Sequence, residues 1–299
     1  MILNYYRIDC PVSQVQNIAL CPLFPRVAAG AGSGDTSSRG PLARVQRLRV
    51  AMGTWTAIEA AAPTQPQAVG AIEAAYRAIA NVERRMHPRR EGSEVARLNS
   101  STPQTHTPIA ESTWRVLQLA KILHRLCDGA FDPCLPSHPG RLGDLRLSGP
   151  EMSFRSALCQ VPIALDLGGI AKGYAIDRAI EAMLAEGCVS GLVNAGGDLR
   201  VFGLSESVLL RRADGTCDPL VLRDAAVAVT DLDVDVRQRP AEHQGYYRRS
   251  GRATSPRTRY AAVVAPNAAV ADALTKCVLF ADARCAERVL RALGARRVG

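Results

Sequence analysis

The stretch between Val161 and Gly187 restricts the fold more than any other. A short apolar run over residues 161–167 meets Gly168 and Gly169. Ile176, Ile180, Met183 and Leu184 then recur at helical spacing before Gly187, a residue suited to the left-handed turn that closes a helix. The order predicts a strand, a glycine turn and a helix. Glycines at such a turn let the backbone come close to a ligand, and the N–H groups that open the following helix favour an anion. Lys172 falls in the first helical turn, where it can bring a point charge to a phosphate. A tight turn carrying a surface lysine explains the same spacing without any ligand. The segment is neither a P-loop nor a dinucleotide fingerprint.

Elsewhere, Val69, Ile72, Tyr76, Ile79, Val82 and Met86 recur at steps of three and four, predicting a helix over residues 66–86. Pro108 fits a first helical turn, with Trp114, Leu117, Leu123 and Leu126 forming a second helix that Asp128-Gly129 ends. Residues 192–193 and 199–202 read as strands around the turn types of residues 194–198, giving a hairpin. Residues 225–229 and 260–265 are further expected strands, and residues 268–280 and 283–293 further helices. Residues 28–41, rich in Ala, Gly and Ser, suit a flexible linker, so the folded domain is expected to begin near Leu42. With 299 residues, 47% hydrophobic and 22% charged, the chain has the make-up of an ordinary globular protein of one or two domains.

The formal charge of +9 comes from scattered arginines such as Arg84-Arg85 and Arg248-Arg249 rather than from one basic block, and aromatics are only 5% of the chain. Nucleic acid, which needs basic grooves interleaved with stacking rings, is therefore not an expected partner. Nine cysteines, an odd number without a CxxC pair, read as buried reduced thiols. No apolar run approaches the roughly 20 residues of a membrane span, so no transmembrane segment is expected. The N-terminus lacks the pattern of a signal peptide. Ile18-Ala19-Leu20-Cys21 faintly resembles a lipoprotein cleavage site, with bulky Leu20 where a small residue belongs.

Six segments occur in one order: Met52-Gly53-Thr54; Ser93-Glu94 with Leu98-Asn99; Gly129-Ala130-Phe131-Asp132-Pro133; Asp166-Leu167-Gly168-Gly169-Ile170-Ala171-Lys172-Gly173-Tyr174-Ala175-Ile176-Asp177; Val193-Asn194-Ala195-Gly196-Gly197-Asp198 with Gly203; and Ala271-Asp272-Ala273-Leu274. Together they resemble the ApbE family of FAD:protein FMN transferases. The resemblance implies an α+β fold of the ApbE type, related to the T-fold, with mixed sheets and packed helices. It covers a domain over residues 42–299, with residues 1–41 as an unmatched, disordered extension. It also implies transfer of FMN from FAD to a threonine of an unidentified acceptor protein, with Mg2+ as cofactor and AMP as the other product. By motif matching, Met52, Ala130, Phe131, Asp132, Asp166 and Lys172 would contact FAD. The carbonyl of Gly169 and the carboxylate of Asp272 would hold the metal, and Lys172 and Asp272 would carry the catalysis. Outside that resemblance, Asp272 reads as a helix-start acid, Met52 and Phe131 as core, and residues 194–198 as a structural turn.

The chain also departs from the pattern. The family's metal-binding threonine, four residues after the aspartate, is replaced by Lys276. Thr275 lies one residue early, about 100° around a helix, and stands as the substitute ligand. A lysine cannot ligate magnesium, so it either weakens the metal site or neutralises phosphate itself. The family's His-Ile-Ile-Asp-Pro-x-Thr-Gly segment falls on residues 252–259, where Arg252, Ser255 and Arg259 replace the His, Asp and Gly. His87-Pro88-Arg89 stands where a flavin-stacking aromatic is common. Two alternatives follow: an FAD-binding pseudoenzyme, or an FAD pyrophosphatase giving FMN and AMP. Family analogy points to the periplasm and the lack of a clear signal to the cytoplasm, which leaves the compartment open.

Overall fold

Alternation along the strands decides which side of the main sheet carries charge. A computed structural model describes residues 41–135, 137–148, 155–232, 248–249, 252–253 and 256–299. Apart from Pro41, the predicted extension over residues 1–41 lies outside them. The main sheet has seven strands in the order β1-β2-β6-β7-β10-β13-β14: β1 Ala43–Ala51, β2 Thr54–Ala62, β6 Ser190–Ala195, β7 Asp198–Phe202, β10 Ala226–Asp231, β13 Tyr260–Ala265 and β14 Arg296–Val298. All its pairings are antiparallel. A smaller sheet orders β3 (His106–Pro108), β5 (Ser156–Cys159) and β4 (Leu145–Ser148), while β8 (Glu206–Arg211) pairs with β9 (Cys217–Leu222) and β11 (Arg248–Arg249) with β12 (Arg252–Ala253).

Successive strand residues face opposite ways. On β7, β10 and β13 this divides Leu199, Val201, Val227, Tyr260, Ala262 and Val264 from Phe202, Ala226, Ala228, Ala261, Val263 and Ala265. The first set forms a small core with Val208, Leu210 and Leu222 of the β8–β9 hairpin. The second belongs to the main core beneath the helices. Asp198 and Arg200, in register with Phe202, therefore point into the helical layer.

Three helices build that layer: α1 (Gln65–Met86), α4 (Ala171–Ala185) and α5 (Ala268–Phe280). Every residue of α5 is buried, including Asp272, Thr275 and Lys276, so its charged groups must find partners inside the protein. Helix α4 crosses the start of α5 at Gly173, where an added Cβ would stand 2.2 Å from the Ala268 carbonyl oxygen. Backbone occupies that space and cannot yield as a side-chain end would. Gly173→Ala is expected to destabilise by about 2–3 kcal/mol. Thermal melting should show a drop of roughly 5–10 °C; an unchanged midpoint would mean the helices are not packed so closely.

Helices α2 (Glu94–Ser100), α3 (Glu111–Leu126) and α6 (Ala283–Ala292) complete the fold. Two sequence expectations need correction. Pro108 does not open α3; it lies in β3 opposite Ser156, and the helix starts at Glu111. Residues 161–167 do not form a strand, since Pro162 offers no N–H, and only Leu165 makes an isolated bridge, to Cys134. Asn99 takes a strand partner's place there, its Oδ1 accepting from Leu165 N at 2.7 Å and its Nδ2 donating to Leu165 O at 2.9 Å. Among the described cysteines all seven are free thiols, buried except Cys217, while Cys10 and Cys21 lie outside the described residues. No helix among the described residues is long and apolar enough to cross a membrane.

Candidate functional site

The start of α5 is held by a carboxylate from its neighbour. Asp177 of α4 accepts from the backbone N–H groups of Ala268 and Ala269, both at 2.9 Å, and from the guanidinium of Arg200 on β7 at 2.6 Å. One fully buried side chain thus joins two helices and the sheet. Asn267 adds its own cap, its Oδ1 accepting from Val270 N at 3.0 Å.

One turn further along α5, a second group of charges gathers beside the first turn of α4. Asp272 accepts from Gly173 N through Oδ2 at 3.2 Å and from the Lys276 ammonium through Oδ1 at 2.5 Å. The ammonium also donates to the Asp272 carbonyl at 3.1 Å. Lys172 Nζ donates to Asp198 Oδ2 at 2.6 Å, and Asp198 Oδ1 accepts from Val229 N at 3.3 Å. The four charges sum to zero. Side-chain exposure is 25% for Lys172, 8% for Lys276 and 1% for each carboxylate, so the lysines stand on the open side.

Electrostatics follow from that arrangement. Burial works hardest against the Lys172 ammonium, yet the Asp198 and Asp272 carboxylates outweigh it and hold its pKa above the ordinary lysine value. Burial likewise opposes the Asp272 carboxylate, but Lys276, then Lys172, hold it below the usual range. Asp198 is pushed up, first by its burial, with Lys172 pulling the other way.

The wall of the site comes from the glycine turn. Residues Leu167–Gly169 form one 3-10 turn, capped by Asp166, whose Oδ1 accepts from Gly168 N at 2.8 Å. A Cβ on Gly169 would lie 3.2 Å from Lys276 Cε and 3.8 Å from Phe131 Cε2, which places both side chains against this turn. Phe131 follows a left-handed pair, Asp128 and Gly129 at φ 51° and 78°, that turns the chain out of α3. Its segment then runs beside the glycine turn, with Asp166 N donating to the Pro133 carbonyl at 2.9 Å. Ala130 is half-buried, and Asp132 caps Cys134 N at 3.0 Å.

Met52 reaches the same end of the sheet. With Gly53 it forms a two-residue hairpin turn at φ 53° and 70°, and its N–H donates to Glu83 at 3.1 Å. The next residue, Thr54, lies where a Cβ on Gly196 would be 2.6 Å from its Oγ1, so the hairpin tip packs on the turn that leads into Asp198. His87-Pro88-Arg89 sits close by, tied through Asn99 Nδ2, which lies 3.4 Å from the Pro88 carbonyl as well as bonding Leu165. Of the altered residues 252–259, Ser255 lies outside the described residues. The Arg252 side chain lies outside the described part of the chain as well, and the Arg259 carbonyl accepts from Leu232 N at 2.8 Å.

The magnesium that the resemblance implies does not fit the residues present. Both Asp272 oxygens are engaged, one of them by an ammonium. Thr275, expected as substitute ligand, faces the sheet: its hydroxyl donates to the Asp272 carbonyl at 2.7 Å and meets Thr230 Oγ1 of β10 at 2.7 Å. Among the described residues no group of three His, Cys, Asp or Glu side chains is placed to hold a metal. The structure brings the sequence candidates Lys172, Gly169, Phe131 and Asp272 near one another, and sequence reasoning missed what Asp177, Asp198 and Arg200 do. The available signal was period-two alternation, which puts 198 and 200 on one face of a strand.

Comparison with known proteins bears on the fold and the family. A curated FAD:protein FMN transferase from Treponema pallidum (strain Nichols) is 24% identical over 201 residues, 58% of this chain and 56% of that protein. The match thus spans little more than half the length of that relative. The flavin transferase ApbE from Vibrio cholerae superposes with a TM-score of 0.70 at 20% identity, covering 85% of this chain and 92% of that one. The ApbE protein from Thermotoga maritima gives 0.69 at 22% identity, covering 85% and 93%. At such identities the likeness is one of fold. The ApbE family profile, however, matches residues 52–297, nearly all of the folded chain, and this chain belongs to the ApbE family.

Proposed function

We propose that this chain is a flavin transferase that moves FMN from FAD onto a threonine of another protein and releases AMP. The observation that carries the reading is the pair of ammonium groups, Lys172 and Lys276, held on buried carboxylates beside the glycine turn at the start of α4. A pyrophosphate laid against that turn meets two fixed positive charges and a helix N-terminus. In the reaction the threonine oxygen attacks the FMN-side phosphorus and the bond from that phosphorus to the AMP oxygen breaks. A phosphoester to the acceptor forms, and the hydroxyl proton passes to solvent. The chain's work is positioning and charge.

In this reading Lys172, the more exposed lysine, carries a phosphoryl oxygen and the developing charge. Asp272 orients Lys276 and ties α4 to α5, and Met52, Ala130, Phe131, Asp132 and Asp166 line the flavin side. The name of the Treponema pallidum relative supports the reaction class. The two ammonium groups supply the positive charge in this reading, because the groups expected to bind magnesium are occupied.

Purified protein incubated with FAD and a whole-cell protein fraction of the source organism tests the reading. Flavin fluorescence that stays on an acceptor band through denaturing electrophoresis, with AMP released in equal amount, is the expected result. Free FMN with AMP would make the chain a pyrophosphatase, and bound but unchanged FAD would make it a binding protein.

A further inference from the structure

We propose that Lys276 is the resident cation of this site, standing in for a divalent metal, so that the chain holds the FAD pyrophosphate without magnesium. The inference rests on the flavin-transfer reading for its ligand, and on this chain's own geometry for the rest. The Lys276 ammonium lies 2.5 Å from Asp272 Oδ1 and 3.1 Å from the Asp272 carbonyl, one helical turn back along α5. Its stem crosses Gly169, with Cε 3.2 Å from where a Cβ would be, so a side chain at 169 would press the stem aside by a few tenths of an ångström. The cation is thereby fixed on both elements that would have to supply metal ligands.

A magnesium ion needs oxygen ligands at about 2.1 Å in near-octahedral order. An ion at that distance from Asp272 Oδ1 would lie at most about 4.6 Å from the ammonium, and because both partners are nearly buried their repulsion is only weakly screened. The second carboxylate oxygen is held by Gly173 N, and the Thr275 hydroxyl is turned to β10. Metal entry would require the ammonium to leave a buried carboxylate, and the next turn of α5 is buried on every side. A lysine brings one charge rather than two and cannot activate a bound water, but it comes with the fold and needs no free metal.

Two measurements on the full chain test this. In the first, manganese is titrated without FAD and followed by electron paramagnetic resonance. Wild type should leave the free-ion signal unchanged, whereas Lys276→Thr, which restores an oxygen one turn from Asp272, should take up one ion. In the second, FAD affinity is measured by flavin fluorescence in EDTA and in millimolar magnesium. The wild-type Kd should agree within about twofold between the buffers, while Lys276→Thr should bind at least roughly tenfold more weakly in EDTA and recover with magnesium. Lys276→Met, with neither charge nor ligand, should bind weakly in both, and the melting temperature of each variant reports its folding. Manganese uptake by wild type, or FAD binding and transfer that vanish in EDTA and return with magnesium, overturns the proposal and leaves flavin transfer standing. A wild type that binds no FAD in either buffer overturns both.

Discussion

Asp177→Ala lowers the melting temperature by roughly 10 °C, the largest loss of stability expected from any one side chain of the helical layer. The substitution breaks a buried ion pair with Arg200 at 2.6 Å and leaves the guanidinium without that partner inside the protein. It also removes the acceptor for Ala268 N and Ala269 N, two of the N–H groups that open α5. Breaking a buried pair from one side costs about 3–5 kcal/mol, and each kcal/mol is worth roughly 2–4 °C in a domain of this size. Asp177→Asn keeps an acceptor of the same shape and loses the charge, so it should fall between wild type and alanine. Scanning calorimetry decides the matter. A midpoint for Asp177→Ala within about 2 °C of wild type would mean that Asn267 alone carries the start of α5.

Lys172→Ala should reduce flavin transfer by roughly a hundredfold to a thousandfold, the scale of removing one fixed positive group from a developing charge. A second effect accompanies it. Asp198, 1% exposed, loses the ammonium at 2.6 Å that pulls its pKa down against burial. Burial then drives its carboxyl further up, and the strand end that Val229 N shares is left with an unpaired acid. Adding Asp198→Asn to Lys172→Ala should therefore restore melting temperature without restoring transfer. That split separates the lysine's part in chemistry from its part in packing. If the double variant regains activity as well, Lys172 acts only by neutralising Asp198. If Lys172→Ala transfers at the wild-type rate, the phosphate site lies elsewhere.

Helices with a regular apolar stripe were readable almost to the residue, because a 3.6-residue period needs no knowledge of partners. The expected helix over residues 66–86 is α1, and that over 268–280 is α5. Strands depend on neighbours, which a single sequence does not show. Pro108 looks like a helix opener, but Ser156 pairs with it across a sheet; residues 161–167 look like a strand, but Asn99, far off in sequence, occupies the pairing position. The same limit applies to the site. Lys276 stood out as a departure from the family pattern. The carboxylate that holds it lies at a spacing read as that of two metal ligands, which a lysine and an aspartate four residues apart also satisfy. Asp198 was taken for a turn residue because its type suits one. Its burial against Lys172 follows from the direction of β7, which local composition does not contain.

Strand β7 carries two kinds of residue in strict alternation: Leu199 and Val201 serve the apolar face under the β8–β9 hairpin, while Asp198 and Arg200 serve the helices. The charge pattern is therefore a property of counting. Inserting or deleting one residue in the Gly196-Gly197 turn would present Leu199 to Lys172 and turn two ionised groups into the apolar core, even with every side chain chemically intact. Substitutions in this strand can be compensated one at a time, but a change of length cannot. The segment should tolerate drift in residue type over evolutionary time while resisting any change in its length.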